Sequence, residues 1–164
     1  MKKSLVYMLL LCLVIVHIGI PCLAQASRDD STRFGIGAKF YGSTPLLTLS
    51  STSKRIGAEL TLGLWSSYGF SLLWLGADAK AYVPIEALDS LVRPYLGGGI
   101  IALLVAFGGV GASMVGVDGV LGLEIGFHSL GIPVAIYGAG QYAIFPALSL
   151  AGGLGAQFGV RVDF

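Results

Sequence analysis

The stretch Ser149 to Phe164, SLAGGLGAQFGVRVDF, decides how the chain is read. Its even positions carry Leu150, Gly152, Leu154, Ala156, Phe158, Val160, Val162 and Phe164. Its odd positions carry Ala151, Gly153, Gly155, Gln157, Gly159, Arg161 and Asp163. A strand sends successive side chains to opposite faces, so one face here is almost wholly apolar and the other is small, polar or charged. Such a face meets either a protein core or lipid, and composition separates the two.

Only 12% of the 164 residues are charged, 25 are glycine, and mean hydropathy is +0.83. Ordinary soluble domains carry about 25% charge and about 7% glycine. The values exclude a disordered chain and suggest a membrane setting. A net charge of +1, with no basic cluster beyond the first residues, argues against nucleic-acid binding.

Residues 1–26 read as a cleavable signal peptide. Lys2 and Lys3 precede the apolar run Leu5 to Ile20, and Ala24-Gln25-Ala26 offers the small residues that cleavage needs. Both cysteines, Cys12 and Cys22, fall in this leader, so the exported chain is expected to have neither disulfides nor thiol chemistry. Losing two lysines leaves eight basic and nine acidic residues. A polar lead (27–32) precedes the single domain expected over 33–164.

Within that domain, alternating runs follow one another. They lie at Arg33–Tyr41, Leu46–Ser50, Arg55–Leu64, Leu73–Val83, Val92 to about Val105, Val115–His128, Ile132–Phe145 and the terminal stretch. Charge parity tests the period. In each of the pairs 33/39, 55/59, 78/80, 118/124 and 161/163, both charges share one parity. Chance agreement in all five is about one in thirty. The pairs 78/80 and 161/163 weigh against helix, where two residues turn ~200°. Tyr95 to Val117 is long and uncharged enough for a membrane helix, but seven of its residues are glycine, unfavourable in a helix interior.

Eight strands with an apolar outer face can close without an edge, as lipid demands of the backbone. The expected fold is all-β: a closed antiparallel up-and-down transmembrane β-barrel of eight strands. With the termini at the periplasmic end, the outer loops are expected at 42–45, 65–70, 106–113 and 145–149. The inner turns fall at 51–54, 86–91 and 129–131. The terminal strand should close the barrel by pairing with Arg33–Tyr41.

The chain resembles the small eight-stranded outer-membrane β-barrels of Gram-negative bacteria, the OmpA/OmpX-like barrel domains. The resemblance is carried by GADAKAY (76–82) with RPYLGGG (93–99), by VDGVLGLE (117–124) with IPV (132–134), and by VRVDF (160–164). It implies residence in the outer membrane and a terminal aromatic, Phe164, read as an assembly signal by the barrel-assembly machinery. The short loops and sparse charge depart from long-looped, adhesive relatives.

The expected inward face holds Arg33, Lys39, Arg55, Lys80, Arg93 and Arg161 against Glu59, Asp78, Asp118, Glu124 and Asp163. An eight-stranded barrel is just wide enough for side chains to fill it. Charges inside must pair, because an unpaired buried ion costs several kcal/mol. The expected role is therefore a structural or loop-mediated one around a non-conducting lumen. A narrow pore is the alternative within the same residues.

A lipid-modifying acyl hydrolase is the enzymatic alternative, with Glu124, His128 and Ser129 as its candidates. A strand would send Ser129 away from His128, whereas a nucleophile and base must approach within ~3 Å. His128 is expected at a solvated rim. Tyr41, Trp65, Tyr68, Phe70 and Trp74 at the outer end, and Tyr82 and Phe127 nearer the inner end, read as interface girdles. No cofactor or metal is expected, since one histidine without cysteine is a poor zinc site and the glycines lack a phosphate-loop setting. The expected partners are outer-membrane lipid and the assembly machinery, around a monomer.

Overall fold

The computed structural model describes residues 32–83, 85, 91–146 and 151–164, without the side chains of 151 and 152. The predicted leader 1–26 and most of the predicted 86–91 turn lie outside the described residues. Eight strands follow in order: β1 (Arg33–Tyr41), β2 (Thr44–Thr52), β3 (Ile56–Ser67), β4 (Phe70–Tyr82), β5 (Val92–Phe107), β6 (Val110–Gly126), β7 (Val134–Phe145) and β8 (Ala151–Asp163). Each pairs antiparallel with its sequence neighbours, and β8 returns to β1 to close the barrel. A short 3₁₀ helix, Phe127–Leu130, links β6 to β7. No described helix is long and apolar enough to cross a membrane.

The closing pair is the one expected from the terminal stretch. Gly35 to Tyr41 of β1 lie opposite Gln157 to Asp163 of β8. At its end, Phe164 N–H donates to the Phe34 carbonyl at 2.8 Å, and Phe34 N–H donates back to the Phe164 carbonyl at 3.3 Å. Closure leaves this seam without a free edge, and that is what a strand needs inside lipid.

Sidedness follows the alternation. Ile36, Leu49, Leu62, Leu121, Phe158 and Val160 point out and are exposed, while Lys39, Glu59, Asp78, Glu124 and Arg161 are buried within. A water-soluble barrel has the reverse arrangement. The polar residues here are shielded from outside by a continuous apolar skin, the pattern of a membrane barrel.

The far end, opposite the termini, differs from expectation. Three of its connections are two-residue turns rather than loops: Gly42-Ser43, Tyr68-Gly69 and Gly108-Gly109. Gly108 and Gly109 take φ of 55° and 83°, and Tyr68 and Gly69 take 47° and 79°. Two successive left-handed residues match the twist of the strands they join. The stretch 106–113, expected to be a loop, is thus the tip of the β5–β6 hairpin. Its alternation is invisible in sequence because both of its faces are apolar or small. The weak second run is a full strand, Thr44–Thr52, whose inward positions are Leu46, Thr48, Ser50 and Thr52 rather than charges.

Many lumen glycines make room for a bulky residue on the adjoining strand. Gly122 faces Tyr95 across β5–β6, and a Cβ on it would lie 2.6 Å from the Tyr95 ring. Gly159 faces Tyr137 across β7–β8 and is occluded in the same way. A Gly159→Val replacement should therefore lower stability by about 1–3 kcal/mol, the usual cost of overpacking. Gly140→Val, with nothing within 4 Å of its Cβ position, is the control. Urea unfolding midpoints of the two variants in detergent check this: equal midpoints would contradict it.

Candidate functional site

The lumen is layered. Nearest the termini, Glu124 of β6 stands at the centre of an ion cluster. Arg161 of β8 reaches it through Nη1 to Oε2 at 2.9 Å and Nη2 to Oε1 at 3.1 Å. Arg93 of β5 donates to Glu124 Oε1, and the Tyr82 hydroxyl donates to Oε2 at 3.0 Å. Arg161 also grips Asp163 on its own strand through Nε and Nη2. This is a bidentate arrangement from a guanidinium only 1% exposed. Planar forks matched to carboxylates are the strong form of such pairs.

The second cluster lies on β1, β3 and β4. Lys39 and Lys80 each donate to one oxygen of Glu59 at 2.7 Å, and Asp78 Oδ2 lies 3.6 Å from Lys39 Nζ. Glu59 and Asp78 are direct cross-strand partners, and Lys80 lies two residues along from Asp78. Without the two lysines, these adjacent carboxylates would repel. Aromatic rings fill the space around the second ammonium: Lys80 Nζ sits 5.0 Å from the Tyr95 ring centre and 4.9 Å from that of Tyr137. Arg93 stacks over Tyr82 at 4.3 Å. These cation–ring contacts strengthen where water is excluded.

Asp118 accepts from the Gln141 amide across β6–β7 rather than from a cation. At the far end, Leu46, Trp74, Ile101 and Ala143 form an apolar plug, with Tyr41, Leu103 and Phe145 packed against it.

Nine of the eleven expected lumen charges face inward. Arg33 and Arg55 do not join them: both are exposed. Arg33 is the first residue of β1, and Arg55 lies in the β2–β3 turn, so each stands at the rim, where parity no longer fixes which side a charge faces. Sequence reading missed Gln141 and Gln157, both inward and buried. The shared parity of Gln157 with Arg161 was the available signal. It also assigned Tyr82, Tyr41 and Trp74 to interface girdles. Tyr82 instead lies in the Glu124 cluster, and Tyr41 packs against Trp74 inside the barrel with ring centres 5.1 Å apart. An aromatic residue suits either environment, so residue type could not decide.

His128 is not the solvated histidine expected. Its Nε2 lies 2.8 Å from Asp163 Oδ2, and its side chain is largely shielded. Burial, followed by the positive charge of Arg33, pushes this imidazole below its usual range against the opposing pull of Asp163. Its carboxylate partner is thus Asp163, while Glu124 is committed to Arg161, Arg93 and Tyr82. Among the described residues no group of three or more His, Cys, Asp or Glu side chains could hold a metal ion.

A closed, eight-stranded barrel with a charged, filled interior and an apolar exterior is a transmembrane β-barrel of the small outer-membrane type. No protein-family model matches the sequence, and no curated protein does. Among solved structures the fold is similar to the N-terminal β-barrel domain of Pseudomonas aeruginosa OprF. The TM-score is 0.59 at 15% identity, over 81% of this chain and 96% of that one. It is also similar to Neisserial surface protein A, with a TM-score of 0.52 at 16% identity, over 81% of this chain and 94% of that one.

Replacing Glu59 by Gln leaves Lys39 and Lys80 buried beside one another with Asp78 as the nearest carboxylate. The expected loss is about 3–5 kcal/mol, typical when one member of a buried ion cluster is removed. Arg33→Gln at the exposed rim should leave the unfolding midpoint where it was. Urea titration followed by gel mobility checks both, and equal midpoints would contradict the buried assignment of Glu59.

Proposed function

We infer that the protein is an integral outer-membrane β-barrel with a structural role, its lumen filled by side chains and closed to solutes. The observation that carries this reading is the pairing of cations and carboxylates across the charged section: Glu59 between two lysines, and Glu124 between two arginines. Eight strands leave an interior of side-chain width, and this one is occupied. The loop-mediated version of the role is weakened by the three two-residue turns at the far end.

In this reading residues 1–26 direct export, the termini face the periplasm, and the barrel sits in outer-membrane lipid as a monomer. Its β8 strand, with Phe164 directly after it, is the element the barrel-assembly machinery engages. The acyl-hydrolase alternative loses support because Glu124 and His128 serve different partners.

Planar-bilayer recording of the purified protein tests the closed lumen. The expected trace is flat, with the same preparation showing the heat-dependent gel shift of a folded barrel. Discrete conductance steps from such a preparation would overturn the proposal in favour of a narrow pore.

A further inference from the structure

The lumen does not balance its own charge. Among the described residues five carboxylates turn inward against four cations. The terminal cluster is even, with Arg93 and Arg161 set against Glu124 and Asp163. His128 belongs to that end, beside Asp163. The excess therefore falls in the second layer, where Lys39 and Lys80 meet Glu59, Asp78 and Asp118. Both ammoniums are committed to Glu59 at 2.7 Å, and Asp78 has only the 3.6 Å approach of Lys39. The donor to Asp118 is the neutral Gln141 amide.

Strand register sets the two weakly neutralised carboxylates on either side of one glycine. Glu59, Asp78, Gly99 and Asp118 form a single cross-strand row from β3 to β6, and opposed residues share a face. A Cβ on Gly99 would collide with Asp78 Oδ1, so that oxygen reaches over the glycine toward the Asp118 side. From β3, Thr61 leans over Gly76, the inward position two residues before Asp78. Its Oγ1 lies 3.8 Å from where a Cβ on Gly76 would stand. Asp78 Oδ1, Asp118 Oδ1 and Thr61 Oγ1 have no hydrogen-bond partner among the described residues, and all three residues are at least nine-tenths buried. Buried oxygens in that condition call for a water or an ion. A missing counter-charge in the same layer selects the ion, because an uncompensated buried carboxylate is costly.

We propose that Asp78, Asp118 and Thr61 bind one alkali cation of the sodium class in the middle of the lumen. The layer lacks a single positive charge, and a divalent ion would leave it charged in the opposite sense. The donors are all oxygens, which suit a hard cation. A proton would supply the charge, but it would join one oxygen and reach one acceptor. A cation engages the three oxygens together. It completes the neutralisation of the filled section, so the site rests on the closed-lumen reading.

The test is the urea unfolding midpoint of the protein in detergent, titrated with sodium chloride. N-methyl-D-glucamine chloride, whose cation is too bulky for a side-chain-filled barrel, holds the ionic strength constant. Between about 1 and about 100 mM sodium the midpoint should rise by roughly 0.5–1 M urea, because the ligand binds only the folded state. Asp118→Asn removes the excess charge, and its midpoint should not move with sodium. Thr61→Val, close to isosteric, serves if that variant fails to fold, and should at least halve the rise. A wild-type midpoint indifferent to sodium overturns the proposal and leaves these oxygens to a proton or water. So does an equal rise in the variants. Discrete conductance steps in a planar bilayer would instead overturn the closed lumen itself.

Discussion

Arg161 is the side chain on which the closed barrel most depends. It projects from the strand that must find β1 last in sequence, yet its guanidinium is among the most buried groups in the molecule. It ties β8 to Glu124 on β6 across the lumen and to Asp163 beside the seam. Gly35, on the β1 side of that seam, has no side chain because the Arg161 stem and the Asp163 carboxylate already occupy the space. A larger residue there, or a missing partner carboxylate, would leave a dehydrated charge at the junction where the sheet closes. Closure of the backbone and neutralisation of the terminal end of the lumen thus meet at one place.

From that cluster the interior changes character along the barrel. Ion pairs at the terminal end give way to the Lys39–Glu59–Lys80 group, then to Asp118 with Gln141, and then to an apolar plug around Trp74. The sequence carries the same gradient: residues 40–53, 60–77 and 95–117, which build most of the far half, contain no charge. In the charged half, Glu59 and Glu124 are each held between two cations. The apolar half has no such network, and its β1–β2 wall is low.

Much of this was legible in the chain because charge acts as a marker of sidedness. A Lys or Asp in a strand of a lipid-facing barrel can turn only inward, so Lys39, Asp78, Lys80, Glu124 and Arg161 reveal their strands' register on inspection. Where the marker is absent the reading fails. β2 fills its lumen face with Thr48, Ser50 and Thr52, which alternate with leucine too briefly to set its ends. The β5–β6 tip is apolar on both faces, so only the Gly108-Gly109 conformation shows that pairing continues there. Tyr82 and Trp74 were misplaced because a ring with a polar handle is equally stable at a membrane interface and against a buried ion. Arg33 and Arg55 were misplaced because alternation ends where the sheet does.

The most direct measurement is a double-mutant cycle joining Arg161→Met and Glu124→Gln, read from equilibrium unfolding in detergent or vesicles. If the pair holds the seam from inside a dry lumen, the two losses should be strongly non-additive, with a coupling of about 2 kcal/mol or more, as found for close, dehydrated charge pairs. Additive losses, with coupling indistinguishable from zero, would contradict it and leave closure to the backbone ladder alone.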